Sequence, residues 1–271
     1  GKVVHEPDRP VVKDLDTLPF PARHLRAGHP DDGSGECESW KRIGGLHRDQ
    51  VHFSRGCWGR CTFCNEPTMS HSVHRYRSPE NTMEEIREIY KFHNGERTLV
   101  LFGDPHFMGR PDKVERLSEL LIDADLDMIF SVMIRADVVQ KNPGVVKKMI
   151  RAGIIGSCMG IESPRTTDLK GTWKGMSNEI HERAVGIMRK NYGVAGATFV
   201  IGLPGQTEEE IKMFPEYARH LGLINTGYAI ATPLPGTQFY KELDGEGLID
   251  IHDYSKYDQM HSVWKHESIS K

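Results

Sequence analysis

The sequence predicts an α/β fold, a partial (β/α)6 TIM-like barrel of parallel strands with an extended N-terminal connector and a truncated C-terminal extension. Short apolar runs recur along the chain, and stretches with apolar residues at three- and four-residue spacing separate them. Its 271 residues are enough for one large α/β domain with a sizeable core. Strands that alternate with helices pair in parallel through right-handed crossovers, and near-continuous Val, Ile and Leu runs suit strands covered on both faces.

In chain order, residues 1–46 are rich in Pro, Asp, Gly and His, and Pro7, Pro10, Pro19, Pro21 and Pro30 interrupt any helix, so they read as the connector. The opening has no initiator methionine and no helix or strand period, which implies a domain upstream. Residues 47–235 form the barrel, with strands at 51–53, 99–102, 128–134, 154–159, 197–201 and 228–231. Helices between them carry Met83, Ile86 and Tyr90, then Val114, Leu117 and Leu121, then Val145 and Met149, then Ile180, Ala184 and Ile187. Ser78-Pro79, Ser177 and the pair Thr207 and Glu210 mark helix starts. Residues 236–271, with Tyr254, Tyr257 and Trp264, form the extension. There is no internal repeat, and no low-complexity tract beyond the connector.

A net charge of −3 provides no global basic field, so a nucleic-acid partner is not expected. No apolar stretch is long enough to span a bilayer, and no secretory signal opens the chain. Five cysteines, an odd number with three of them clustered, point to a reducing compartment, the cytoplasm.

The clustered cysteines lie in Ser54-Arg55-Gly56-Cys57-Trp58-Gly59-Arg60-Cys61-Thr62-Phe63-Cys64, directly after the first strand. In a βα barrel the loops at the strands' C-terminal ends build the site. Three thiolates on one loop can hold three corners of a cubane iron–sulfur cluster and leave the fourth iron open to a substrate or cosubstrate. Gly56 and Gly59 let the backbone wrap closely around such a core. The alternative is a zinc site completed by His52, His71 or His74, but structural zinc sites usually divide their ligands into two separated pairs. Cys37 reads as a free surface thiol and Cys158 as a small core residue.

Cysteines separated by three and then two residues, with Phe63 before the last, resemble the signature of the radical S-adenosylmethionine superfamily. The resemblance implies that Cys57, Cys61 and Cys64 ligate a 4Fe-4S cluster whose open iron is chelated by S-adenosylmethionine, cleaved on reduction to a 5'-deoxyadenosyl radical. It implies that Phe63 packs near the adenine, that Asp104 holds the methionine amino group, that Glu162 meets the ribose and that Lys174 pairs with the methionine carboxylate. Gly103-Asp104-Pro105 departs from the family's usual Gly-Gly-Glu, and Gly202-Leu203-Pro204-Gly205 is similar to a turn beside the adenine. Arg135, at a strand end, suits a cofactor or substrate carboxylate because guanidinium binds it bidentately. His106, near the mouth, is a candidate proton relay weighed against a structural role.

The connector and the segments 160–163, 201–205 and 233–237 resemble the cobalamin-dependent branch, in which an upstream domain binds cobalamin. The resemblance implies the catalytic core of a methyltransferase acting on an unactivated carbon, served by a reductant such as flavodoxin or ferredoxin, with the substrate unnamed. Other readings are an anaerobic oxidative cyclase of the same branch and a tRNA methylthiotransferase, which normally adds cysteines and an RNA-binding module. A non-catalytic iron–sulfur or zinc module belongs to a different class, and a pure carrier would be expected to supply a fourth ligand.

Overall fold

The computed structural model describes residues 9–28, 42–43 and 45–269, so Cys37 lies outside the described residues. The strands are β1 (Arg42–Ile43), β2 (Leu46–Val51), β3 (Ser54–Arg55), β4 (Arg75–Tyr76), β5 (Thr98–Phe102), β6 (Met128–Ile134), β7 (Ile154–Glu162), β8 (Val194–Ile201) and β9 (Asn225–Ile230). Six of them, β2-β5-β6-β7-β8-β9, pair in parallel in chain order as a curled half-barrel, with β1 antiparallel on the β2 edge. Helices fill the crossovers, as the alternation of periods predicts.

Side-chain alternation divides the sheet into two faces. Val51, Val100, Phe102, Phe130, Val132, Met159, Ile161, Ala197 and Phe199 pack outward against Met83, Ile86, Val114, Leu117, Met149 and Ala184 of the helices. The other face is the inner, concave one. Met133 and Cys158 are paired there in register; Met133 is exposed and Cys158 half-buried. Cys158 therefore departs from the core position expected of it, because strand register rather than local apolarity sets which face it joins.

The first barrel strand lies earlier than predicted, ending at Val51 rather than starting there. Its polar run His47, Arg48, Asp49 and Gln50 hides it from an apolar count. Asp49 is nevertheless buried, paired with Arg23 at 3.1 Å and with His93 at 3.0 Å. Two predicted helix starts are side-chain caps: the Asn81 N–H donates to Ser78 Oγ at 3.1 Å, and Thr207 with Glu210 makes a full capping box. Ser177 occupies the third N-cap without a side-chain cap bond.

The segment after 235 forms helix Gln238–Gly245 and a bridge between Ile249 and Trp264. It closes a second apolar cluster of Val200, Leu203, Ala231, Phe239, Leu243, Ile249 and Trp264. Among the described residues, no helix is long and apolar enough to cross a membrane.

Candidate active site at the mouth of the half-barrel

The cysteine loop leaves β3, which pairs with β4 through Ser54–Tyr76 and Arg55–Arg75. Gly56 follows at φ +91°, and any Cβ there would collide with the Val73 carbonyl oxygen, so this turn requires glycine. Further along, the Thr62 N–H donates to Thr172 O at 3.1 Å, and the Phe239 N–H donates to Thr62 O at 3.0 Å. Phe63 packs against the second apolar cluster. The loop is thus held from the β3–β4 hairpin, from the segment after β7 and from the C-terminal extension.

Cys57, Cys61 and Cys64 are free and half-buried. Burial pushes the Cys57 thiol up, partly offset by the Gly59 N–H, 3.3 Å from its sulfur, and by Arg135. Burial pushes Cys64 up to about 11. As free thiols both hold their protons at neutral pH, and a bound metal takes the place of those protons. A Cβ at Gly59 would stand 3.3 Å from the Cys57 sulfur, 3.4 Å from Arg135 Nη1 and 4.0 Å from the Cys61 sulfur. Gly59 therefore leaves open the space between two sulfurs and a guanidinium.

Arg135, at the end of β6, donates from Nε to Asp137 Oδ1 at 3.0 Å and from Nη2 to Lys174 O at 3.1 Å. Its guanidinium lies 4.7 Å from the centre of the Trp58 ring. Lys174 Nζ donates to Glu162 Oε1 at 2.7 Å, with side-chain exposures of 9% and 7%. Burial alone would depress the Lys174 ammonium, but the facing Glu162 carboxylate and the Cys61 sulfur raise it above its ordinary value. A bulge between Gly160 and Glu162 and a left-handed Glu162, φ +66°, bring this carboxylate to the pair. A Cβ at Gly160 would overlap Glu162 Oε1 and approach Lys174 Nζ to 2.7 Å. The site residues Cys57, Cys61, Arg135, Glu162 and Lys174 therefore gather at one rim.

Asp104 sits behind this rim, fully buried, and its carboxylate accepts the backbone N–H groups of Phe53 and Ser54. Burial raises it to about 6 in spite of those bonds. In this arrangement Asp104 tethers the end of the first barrel strand to the second. His106 is also fully buried, and among the described residues neither ring nitrogen has a hydrogen-bond partner. Its ring centre lies 5.6 Å from Trp58 and 5.7 Å from His74, and His74 is 3.1 Å from Ser54 Oγ. Burial lowers His106 to about 3 and His74 to about 4, so both are neutral at physiological pH.

Sequence reasoning passed over Trp58, Thr172 and Gly160. Trp58 could have been found from its place between two loop cysteines. Thr172 and Gly160 act through backbone and through absent volume, which residue type does not signal.

Three thiols of one loop, with glycine rather than bulk between two of them, fit an iron–sulfur cluster by donor type and by space. Among the described residues, the three cysteines included, no three His, Cys, Asp or Glu side chains are arranged to hold a single metal ion. A parallel half-barrel with this loop at its mouth defines a class of iron–sulfur radical enzymes. The profile described as Radical SAM superfamily matches residues 51–218, more than half the chain, and the chain belongs to that superfamily. Membership implies a 4Fe-4S cluster and S-adenosylmethionine as cofactors.

Among relatives, the anaerobic magnesium-protoporphyrin IX monomethyl ester cyclase of Rubrivivax gelatinosus is 25% identical over 100% of this chain and 46% of its own length. The bacteriochlorophyllide d C-8(2)-methyltransferase of Chlorobaculum tepidum is 27% identical over 92% of this chain and 56% of its own. The chain spans about half the length of the curated relatives it matches. The radical S-adenosylmethionine methyltransferase TsrM from Kitasatospora setae, solved with cobalamin and a 4Fe-4S cluster bound, aligns with a TM-score of 0.66 at 20% identity. That alignment covers 77% of this chain and 41% of TsrM, and it is a likeness of fold.

Proposed function

We propose that this chain is the radical-generating core of a cobalamin-assisted methyltransferase that acts on an unactivated carbon. The observation that carries the reading is the convergence of Arg135, Lys174 and Glu162 on the cysteine loop around Gly59. Cys57, Cys61 and Cys64 hold the cluster, which when bound and reduced supplies the electron that cleaves S-adenosylmethionine to a 5'-deoxyadenosyl radical. Arg135 and Lys174 offer two cations to the methionine carboxylate. Glu162 fixes Lys174 and presents its second oxygen to the ribose. Asp104 keeps the strand end before the loop in place, and Phe63, seated on the apolar cluster, helps keep water from the adenine side. The likeness of the C-8(2)-methyltransferase supports methyl transfer, with cobalamin carried outside this chain and electrons from a flavodoxin or ferredoxin. The clustered cysteines suit the reducing cytoplasm, and a net charge of −3 provides no global basic field for nucleic acid.

The cyclase relative, matched over the whole chain, favours a second reading, oxidative ring closure by the same radical. Anaerobic reconstitution is expected to load iron and sulfide in near-equal amounts, and dithionite with S-adenosylmethionine is then expected to release 5'-deoxyadenosine. Cys61→Ala is expected to abolish both. Zinc without sulfide, or undiminished release from Cys61→Ala, would overturn the assignment. Methyl-labelled S-adenosylmethionine separates the two readings, since only methyl transfer leaves the label in product.

A further inference from the structure

Between Val12 and Arg23 the connector is fastened to the barrel. Arg23, 7% exposed, donates from Nε to Asp49 Oδ1 at 3.1 Å and from Nη2 to Glu85 Oε1 at 2.6 Å and Gln50 O at 2.8 Å. The other oxygen of Glu85 accepts Arg77 Nη1, which also donates to His52 O at 3.0 Å. The Arg77 guanidinium lies 5.0 Å from the centre of the Phe20 ring, so connector residues reach Arg77 from two sides. The Arg77 N–H donates to Phe53 O at 2.9 Å. Arg75 Nη1 donates to Val12 O at 2.8 Å, and Asp16 accepts the Ser78 N–H at 2.8 Å.

These contacts surround one element. Arg75 and Arg77 bound β4, β4 pairs with β3, and Gly56 and Cys57 follow β3 directly. Between Gly56 and Asn65 the loop has no helix or strand of its own, so its thiols take their places from the β3–β4 pair at its start and from the Thr172 and Phe239 bonds to Thr62. Removing one member of a buried ion network leaves the others uncompensated, so Arg23 bears on where Glu85 and Arg77 sit. We propose that Phe20 and Arg23 of the connector are positioning residues for the cysteine loop, acting through Glu85 and Arg77 on the hairpin that carries it. The proposal rests on the cluster assignment above only for its iron readout.

The test compares Arg23→Gln and Phe20→Ala with Phe214→Ala, a fully buried core truncation on the helix Phe214–Leu221, each at the same margin below its own melting temperature. In metal-free protein under anaerobic conditions, mass spectrometry follows iodoacetamide alkylation of Cys57, Cys61 and Cys64. Both connector variants are expected to alkylate about tenfold faster than wild type, because local opening of the loop becomes more frequent, whereas Phe214→Ala is not. Iron retained after reconstitution is expected to fall in the same two variants. If the connector variants and Phe214→Ala alkylate at equal rates, the proposal fails. Should Arg23→Gln not fold, Phe20→Ala decides by the same comparison. Absence of iron from wild type as well would overturn the cluster assignment and leave the alkylation rates to decide this one.

Discussion

Lys174 and Glu162 are the pair in which stability and recognition are most easily confused. Lys174→Met leaves a buried carboxylate without its partner, and such a loss is expected to cost about 3–5 kcal/mol in urea unfolding. Replacing both, Lys174→Met with Glu162→Met, is expected to recover most of that stability, because an apolar pair removes both desolvation costs. Neither variant is expected to bind S-adenosylmethionine, measured by calorimetry on reconstituted protein. Binding that returned with stability in the double variant would remove both residues from the cofactor site. Gly160→Ala tests the same spot by volume. Its methyl displaces the ion pair while the charges remain, so a weakened affinity is expected with both ions present. The family resemblance made Glu162 and Lys174 legible in the sequence, and Glu162 also stands at a strand end. The reach of Gly160 and Thr172 was not legible, because the work there is done by a missing side chain and a carbonyl.

Among the elements, the cysteine loop depends on parts far from it in sequence. Phe63→Ala removes the ring that joins the loop to the second apolar cluster and is expected to cost about 2 kcal/mol for a half-buried aromatic. The expected accompaniment is reduced iron retention, read by metal analysis after gel filtration. A loss of stability with full iron content would show that the ring serves the extension alone. The barrel strands show how far apolar patterning carries. The strand at 128–134 lies where the sequence predicted it, since its alternate residues are buried among helices. The Leu46–Val51 strand does not, because Asp49 is buried by pairing with Arg23 and His93, and such compensation is invisible until distant residues are brought together. The two-residue strands β3 and β4 escaped notice for want of length, although they carry the loop.

For the whole molecule, acid stability depends on the buried imidazoles of His106 and His181, the half-buried His74 and the buried Asp104 carboxyl. Burial holds His74 and His181 at about 4 and His106 at about 3, all below the unfolded value of 6.5. Between those values the unfolded chain binds protons that the folded chain refuses, so stability is expected to fall as pH drops from about 6.5 to 4. Asp104 acts the other way: raised from 3.8 to about 6, it binds its proton more tightly when folded and partly offsets the loss. Urea titrations of metal-free protein at several pH values are therefore expected to show a shallower acid slope in His106→Gln and a steeper one in Asp104→Asn. Parallel slopes in all three proteins would contradict this account.

The strands β2 and β5 to β9 stand side by side in the order in which they are made, so the sheet can grow one strand at a time as the chain emerges from the ribosome. The cysteine loop belongs to the first strand of that series, but the Phe239 N–H that holds its Thr62 carbonyl is made near the end. At roughly 5–20 residues per second, that partner arrives on the order of ten seconds or more later. In the interval the loop lacks that anchor, so its thiols are expected to reach their final places only after residue 239 has joined the fold.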